Sequence, residues 1–307
     1  MTVADPSTFP GAVAPTRQYR IDSDGLGIAV HEWGDEQHPV LMLGHGGLDF
    51  AQTFNGFAPL LAAGGWRVVS WDQRGHGDSE HAFLYSIDAD LRDIVNVFEH
   101  VAGRNAVPVI GHSKSGVMMI NLAESNAFRF SKLVNIDGMP WARPAPDVNE
   151  HERSDALAAD VKLWLDHRRR TAVRERRPGT IDELAARRNV MNPRLSRDWM
   201  RYLVSVGASE HPDGWRWKLD PSLKFGGFGP WRPEWARQKL AGLSVPFLGL
   251  LVEHADPLGW GTQPEHIEPW LPRDGHVVRI EGTGHFPHIE RPEFVAAMLL
   301  DFLGAPA

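Results

Sequence analysis

Short, nearly unbroken apolar runs alternate with stretches of helical period over the first 138 residues. The runs at 27–33, 40–43, 67–71, 107–110 and 133–136 are too short for helices and are mostly rich in Val, Ile and Leu, so they predict strands. Between them, 57–63 reads as a helix that stops at Gly64 and Gly65, and 87–101 places Leu91, Ile94, Val95 and Phe98 on one helix face. Strands apolar on both faces and separated by helices predict a parallel sheet covered on both sides, the α/β class. The rhythm lapses at 139–239 and then resumes with a strand at 245–252, a short helix at 266–271, a strand at 276–280 and an amphipathic helix at 291–303. The interrupting segment holds Arg-rich helical stretches, a capping box from Thr180 to Glu183, and an irregular Gly/Pro/Trp tract at 226–235. The organisation read from the pattern is a flexible arm at 1–18, an α/β core at 19–138 and 240–307, and a helical insertion at 139–239.

Composition narrows the function. With 307 residues and 42% hydrophobic content the chain can bury a large core, and no apolar stretch is long enough for a membrane helix. The net charge of −7 lacks the basic footprint of a nucleic-acid binder, and the Arg clusters read as solvated helix faces. Cysteine is absent, which removes disulfides, thiolate catalysis and Cys-ligated metals. Residues 1–20 do not form a secretory signal, so a cytoplasmic location is the expectation, with a homodimer as one option for the oligomeric state. Of 12 Trp against 3 Tyr, seven lie between Trp141 and Trp235, which suggests a dry, aromatic-lined cavity under the insertion.

The sharpest chemical signal is an apolar strand running through Gly111, His112, Ser113, Lys114, Ser115 and Gly116 into an apolar helix. A nucleophile held on such a tight strand-to-helix turn needs small neighbours two positions to either side and sits over a helix N-terminus that favours developing negative charge. A serine hydroxyl needs an adjacent base, and His285, after the Gly-Thr-Gly turn 282–284, is the best candidate. The base needs a carboxylate partner. Asp256 lies 29 residues before His285 and is the favoured acid; Asp137, 24 residues after Ser113, is the alternative, and Glu253 a weaker third. The backbone N–H of Lys114 is expected to face the oxyanion. His45, His76 and His112 are read mainly as packing, with His112 also placed beside the nucleophile as a pocket residue.

Four motifs in order give the chain its likeness: Gly44-His45-Gly46-Gly47, the 72–79 segment Asp-Gln-Arg-Gly-His-Gly-Asp-Ser, the turn around Ser113, and Gly282-Thr283-Gly284-His285-Phe286. In these the chain resembles the α/β-hydrolase-fold serine hydrolases over about residues 19–303. The one departure is Ser115, where the usual pattern has Gly. The resemblance implies a mostly parallel sheet with a helical cap at 139–239, Ser113 as nucleophile, His285 as general base, and the Gly47 N–H as second oxyanion donor. It implies that Asp72 and Arg74 hold a structural turn. His112, Asp137, Trp141 and Trp231 are expected to line the substrate pocket, with Trp235 and Phe228 as weaker candidates. The expected reaction is hydrolysis of an ester or lactone of a small, apolar or aromatic molecule, with no metal, cofactor, nucleic acid or membrane. Epoxide hydrolases and haloalkane dehalogenases of the family use an aspartate nucleophile, so the serine counts against both. Carbon–carbon bond hydrolysis, cofactor-free oxygenation and non-catalytic ligand binding stay open.

Overall fold

The computed structural model describes residues 5–139, 152–172, 175–223 and 233–306. Strands β1 (Arg17–Ser23) and β2 (Leu26–Trp33) pair antiparallel at one edge of an eight-stranded sheet. β2 meets β4 (Arg67–Trp71) antiparallel, and from there every pairing is parallel, through β3 (Val40–Gly44), β5 (Val107–His112), β6 (Phe130–Ile136), β9 (Phe247–Val252) and β10 (Gly275–Ile280). Adjacent residues of one strand point to opposite faces. Met42, Val69, Val109, Leu133 and Leu251 enter one core with helices α2 (Ile87–Ala102) and α3 (Lys114–Ser125). Leu41, Val68, Ile110, Val134 and Leu250 enter the other, under α1 (Ala58–Ala63) and the C-terminal helix Pro292–Leu303.

The expected strands are present, within a few residues of their read limits. β1 was missed because it is an exposed edge strand: of its residues only Ile21 and Ser23 are buried, which leaves no apolar run to read. The segment expected as a loose arm is fastened over its described part. The Phe9 ring stacks edge-on against Trp199 at 4.8 Å, the Val13 N–H donates to the Asn55 carbonyl, and Trp33 Nε1 donates to the Val13 carbonyl.

The inserted segment lies between β6 and β9, which are neighbours in the sheet. Its described part holds α4 (Arg153–Thr171), α5 (Ile181–Asn189), α6 (Arg197–Gly207) and α7 (Pro233–Ala241). It also holds a hairpin, β7 (Ala208–His211) with β8 (Gly214–Trp217), which the helical reading did not anticipate. The capping box read at Thr180 and Glu183 is formed and opens α5. Leu184, Trp199, Met200 and Leu203 of this segment form a third core with Phe50 and Phe286. Among the described residues no helix is long and apolar enough to cross a membrane.

The loop after β4 is a structural knot. Asp72 accepts from the backbone N–H of Ala51 and of Asp78, each at 2.7 Å, and Arg74 forks onto Asp93 at 2.6 and 2.8 Å. Both residues are buried and hold a turn, the role the sequence assigned to them.

His288 sits in the core against Phe54, Phe57 and His112. Neither ring nitrogen has a hydrogen-bond partner among the described residues. Burial, with a smaller contribution from His285, pushes its pKa down from 6.5 to about 3. Between those values the unfolded chain takes up a proton that the folded chain refuses, so stability falls as pH drops from 6.5 towards 3. This site contributes at most about 1.4 kcal/mol per pH unit. Thermal melts over pH 4–7 should therefore fall less steeply with acid in His288→Leu than in the parent; identical slopes would contradict the assignment.

Candidate active site

Three chain-distant elements meet at the C-terminal ends of the parallel strands. Between β5 and α3 stands Ser113, whose φ of 51° and ψ of −115° put a non-glycine residue in the left-handed half of backbone space. Such a conformation costs of order 1–3 kcal/mol and persists only where the surroundings enforce it. They do so by close approach. A Cβ at Gly111 would lie 2.8 Å from the Gly116 nitrogen, so the strand and helix can cross here only without a side chain.

Ser115, the departure from the usual Gly, has a place of its own. Gly44 opposite it leaves room, since a Cβ there would come within 2.7 Å of Ser115 Oγ. That hydroxyl donates to the His45 carbonyl at 2.6 Å, and Gln73 Nε2 donates to the same carbonyl at 2.7 Å. The loop 45–48 is thereby tied to the turn that carries Ser113.

Ser113 Oγ lies 3.0 Å from His285 Nε2, and His285 Nδ1 lies 2.6 Å from Asp137 Oδ2. A carboxylate only accepts, so Nδ1–H donates to Asp137 and leaves Nε2 free to accept from the serine hydroxyl. His285 and Asp137 are both almost fully buried. Burial pushes the Asp137 carboxyl above its ordinary value and the charge of Asp256 adds to this, while the hydrogen bond to His285 opposes both. The Asp137 anion is therefore better stabilised the more positive His285 becomes.

Asp256, expected to orient the ring, does not touch it. Its Oδ2 accepts instead from the backbone N–H of His285 at 2.8 Å, fixing the loop rather than the imidazole. Glu253 is farther out, accepting from the Gly282 N–H. Asp137, the alternative read from the sequence, occupies the ring position at the end of β6, itself with a φ of 42°. The choice was not resolvable from spacing, because both aspartates follow strands that are adjacent in the sheet, Asp137 directly after β6 and Asp256 in the loop after β9.

His112 is buried beneath the site. Its Nε2–H donates to the His285 carbonyl at 2.8 Å, and its ring lies 4.8 Å from that of His285. Burial holds the pKa values of His45, His76 and His112 below the usual histidine range, so these rings stay neutral and pack.

A cavity of about 390 Å³ opens over Ser113, His285 and the Gly46–Leu48 backbone. The rest of its wall is chiefly Phe286, the last residue of the motif around His285, with Ile87, Val117, Met118, Leu258 and Trp260, which the sequence had not singled out because single apolar residues carry no motif. Gly47 and Lys114, read as the oxyanion donors, both line it. Lys114 opens α3, and the first N–H groups of a helix have no intrahelical acceptor. The lysine side chain reaches Asp90 Oδ2 at 2.7 Å. Trp141, Trp231 and Phe228 lie outside the described residues, as does the Trp235 side chain.

The two carboxylate contacts to His285, one to its ring and one to its backbone, make a sharp expectation. Asp137→Asn should lower turnover about 10⁴-fold, the usual effect of removing the carboxylate behind a catalytic imidazole, whereas Asp256→Asn, which keeps an acceptor for the backbone N–H, should cost about tenfold or less. Steady-state kinetics of the two variants reads this directly, and the reverse order would restore Asp256 to the ring.

Comparison with known proteins agrees with this architecture. The model of the Alpha/beta hydrolase family matches residues 40–298. Epoxide hydrolase A of Mycobacterium tuberculosis (strain ATCC 25618 / H37Rv) is 28% identical, over 94% of this chain and 98% of that protein. Among solved structures, the thioesterase domain from the curacin biosynthetic pathway superposes with a TM-score of 0.77 at 21% identity, over 93% of this chain and 99% of the other. The M. tuberculosis esterase Rv0045c superposes with a TM-score of 0.66 at 20% identity, over 95% and 92%; at these identities the structural likeness speaks for the fold alone. By the family match over most of its length, and by the fold that carries it, the chain belongs to the α/β-hydrolase family.

Proposed function

We propose that this protein is a serine hydrolase that cleaves a carboxylic ester or lactone through an acyl-enzyme. The observation that carries the reading is the hydrogen-bonded series Ser113–His285–Asp137 opening into an apolar cavity.

In this reading Ser113 Oγ attacks the ester carbonyl carbon as its proton passes to His285 Nε2. Asp137 holds the ring by Nδ1–H and stabilises the imidazolium that forms. The carbonyl oxygen becomes an oxyanion facing the Lys114 and Gly47 N–H groups. The C–O bond to the alcohol breaks, and the leaving oxygen takes the proton from Nε2. Water then repeats the sequence on the acyl-enzyme: it gives a proton to Nε2 as its oxygen adds to the carbonyl, the acyl C–Oγ bond breaks, and Ser113 Oγ takes the proton from Nε2 as the carboxylic acid leaves. A lactone follows the same steps, with the alcohol remaining attached to the acid.

The apolar wall favours a small substrate with an aliphatic or ring-bearing acyl group, whose burial stabilises the complex by about 25 cal/mol per Å². We read the 139–239 insertion as the cap over this cavity, since its α5–α6 core packs on Phe286 next to His285. The name of the 28%-identical relative raises epoxide opening as a rival. The serine speaks against it, because attack of Ser113 on an epoxide carbon would leave an alkyl ether that water cannot release, whereas an ester intermediate hydrolyses.

A fluorophosphonate probe should label the parent protein at Ser113. Ser113→Ala should lose labelling and reduce aryl-ester turnover by about 10³-fold or more. Near-normal turnover in that variant, or steady conversion of an epoxide with none of esters, would overturn the reading.

A further inference from the structure

The oxyanion loop is held from two sides, and one of them is the inserted segment. Leu48 lines the cavity immediately after Gly47 and has a φ of 59°, a left-handed conformation that a branched apolar side chain rarely adopts. Something must enforce it. On the core side, the Leu48 N–H donates to His76 Nε2 at 3.3 Å. On the other side, Arg188 Nη1 donates to the Leu48 carbonyl at 2.5 Å, and Arg188 Nη2 lies 3.7 Å from Asp49 Oδ1. Asp49 is buried and also accepts from Thr53 Oγ1.

Arg188 belongs to the last turn of α5, 140 residues away along the chain from the carbonyl it holds. It is placed by its own helix. The capping box fixes the start of α5, and Leu184, one turn before Arg188 and so on the same face, is fully buried in the third core beside Trp199 and Phe286. The guanidinium is planar and carries five N–H donors in a fixed fork, so it can hold a carbonyl and a carboxylate at once with little freedom. The side chain is only 16% exposed, which keeps these charge-assisted contacts from being screened.

From this geometry we propose that Arg188 is a positioning residue for the oxyanion loop, transmitting the seating of the inserted helix α5 to the Gly46–Leu48 backbone. The inference rests on the acyl-transfer reading above. It adds that the insertion governs the rate of the chemical step, and not only access to the cavity. With Arg188 in place, the Leu48 carbonyl is turned towards α5 and away from the oxyanion. Without it, the strained Leu48 relaxes and the neighbouring Gly47 N–H loses its aim.

The test compares Arg188→Met and Arg188→Lys with Arg187→Met. Arg187 is on the same helix, but its guanidinium bonds the Arg177 and Pro178 carbonyls within the insertion. With a p-nitrophenyl ester, Arg188→Met should lower kcat by about 10- to 100-fold, below the 10²–10³ of deleting a donor outright, with KM within about twofold. Arg188→Lys should fall between, Arg187→Met should match the parent, and fluorophosphonate labelling of Ser113 should slow in proportion to kcat. A rise in KM at constant kcat, equal effects of the two methionine variants, or no effect would overturn the proposal. Hydrogen exchange of the 45–50 amides supplies a readout that needs no turnover: protection should drop about tenfold or more in Arg188→Met alone. Parent protein that neither labels nor turns over esters would sink the acyl-transfer reading. Unchanged exchange in Arg188→Met would sink the role of Arg188 by itself.

Discussion

The site depends on one strained residue. Ser113 is held at φ 51° by the crossing of β5 and α3, and that single backbone twist lifts its hydroxyl above the sheet into reach of His285. The strain is sustained by packing on both sides: Gly111 lets the helix approach, and Ser115 bonds the neighbouring loop. A relaxed turn at 113 would lower the hydroxyl towards the strand and leave the imidazole without a partner. The two large cores on either face of the sheet give the rigidity that resists this relaxation.

Around that turn the buried histidines divide into four that pack and one, His285, that contacts a carboxylate. His45, His76, His112 and His288 are desolvated, and burial holds each below the usual histidine range. They act as shaped apolar blocks with a few fixed hydrogen bonds. His285 differs because a carboxylate is in contact with it. Asp137 Oδ2 lies 2.6 Å from the His285 Nδ1 in a place that water does not reach, a contact that, among the described residues, none of the other four rings makes with a carboxylate.

The sheet was legible in the sequence because its buried strands are short apolar runs, and the turn at Ser113 because a strand, three small residues and an apolar helix coincide. β1 was not, since it is a mostly exposed edge with no apolar run, and the β7–β8 hairpin was not, since its four-residue strands sit among helices. Ser113 and His285 were read correctly as partners in space. The favoured acid, Asp256, is not the one on the ring: β6 and β9 lie side by side and each delivers an aspartate to the same neighbourhood, Asp137 to the ring of His285 and Asp256 to its backbone, which spacing alone does not distinguish. Arg188 carried no local signal. Its partner is a carbonyl far away in the chain, and in the sequence it looks like any charged residue on a solvated helix.

The central claim is that one imidazole joins Ser113 and Asp137. Proton NMR of the ¹⁵N-histidine-labelled protein tests it most directly. The account predicts a strongly downfield Nδ1–H resonance from His285 that survives in Asp256→Asn and vanishes in Asp137→Asn; a resonance that persists without the Asp137 carboxylate and disappears with that of Asp256 would contradict it.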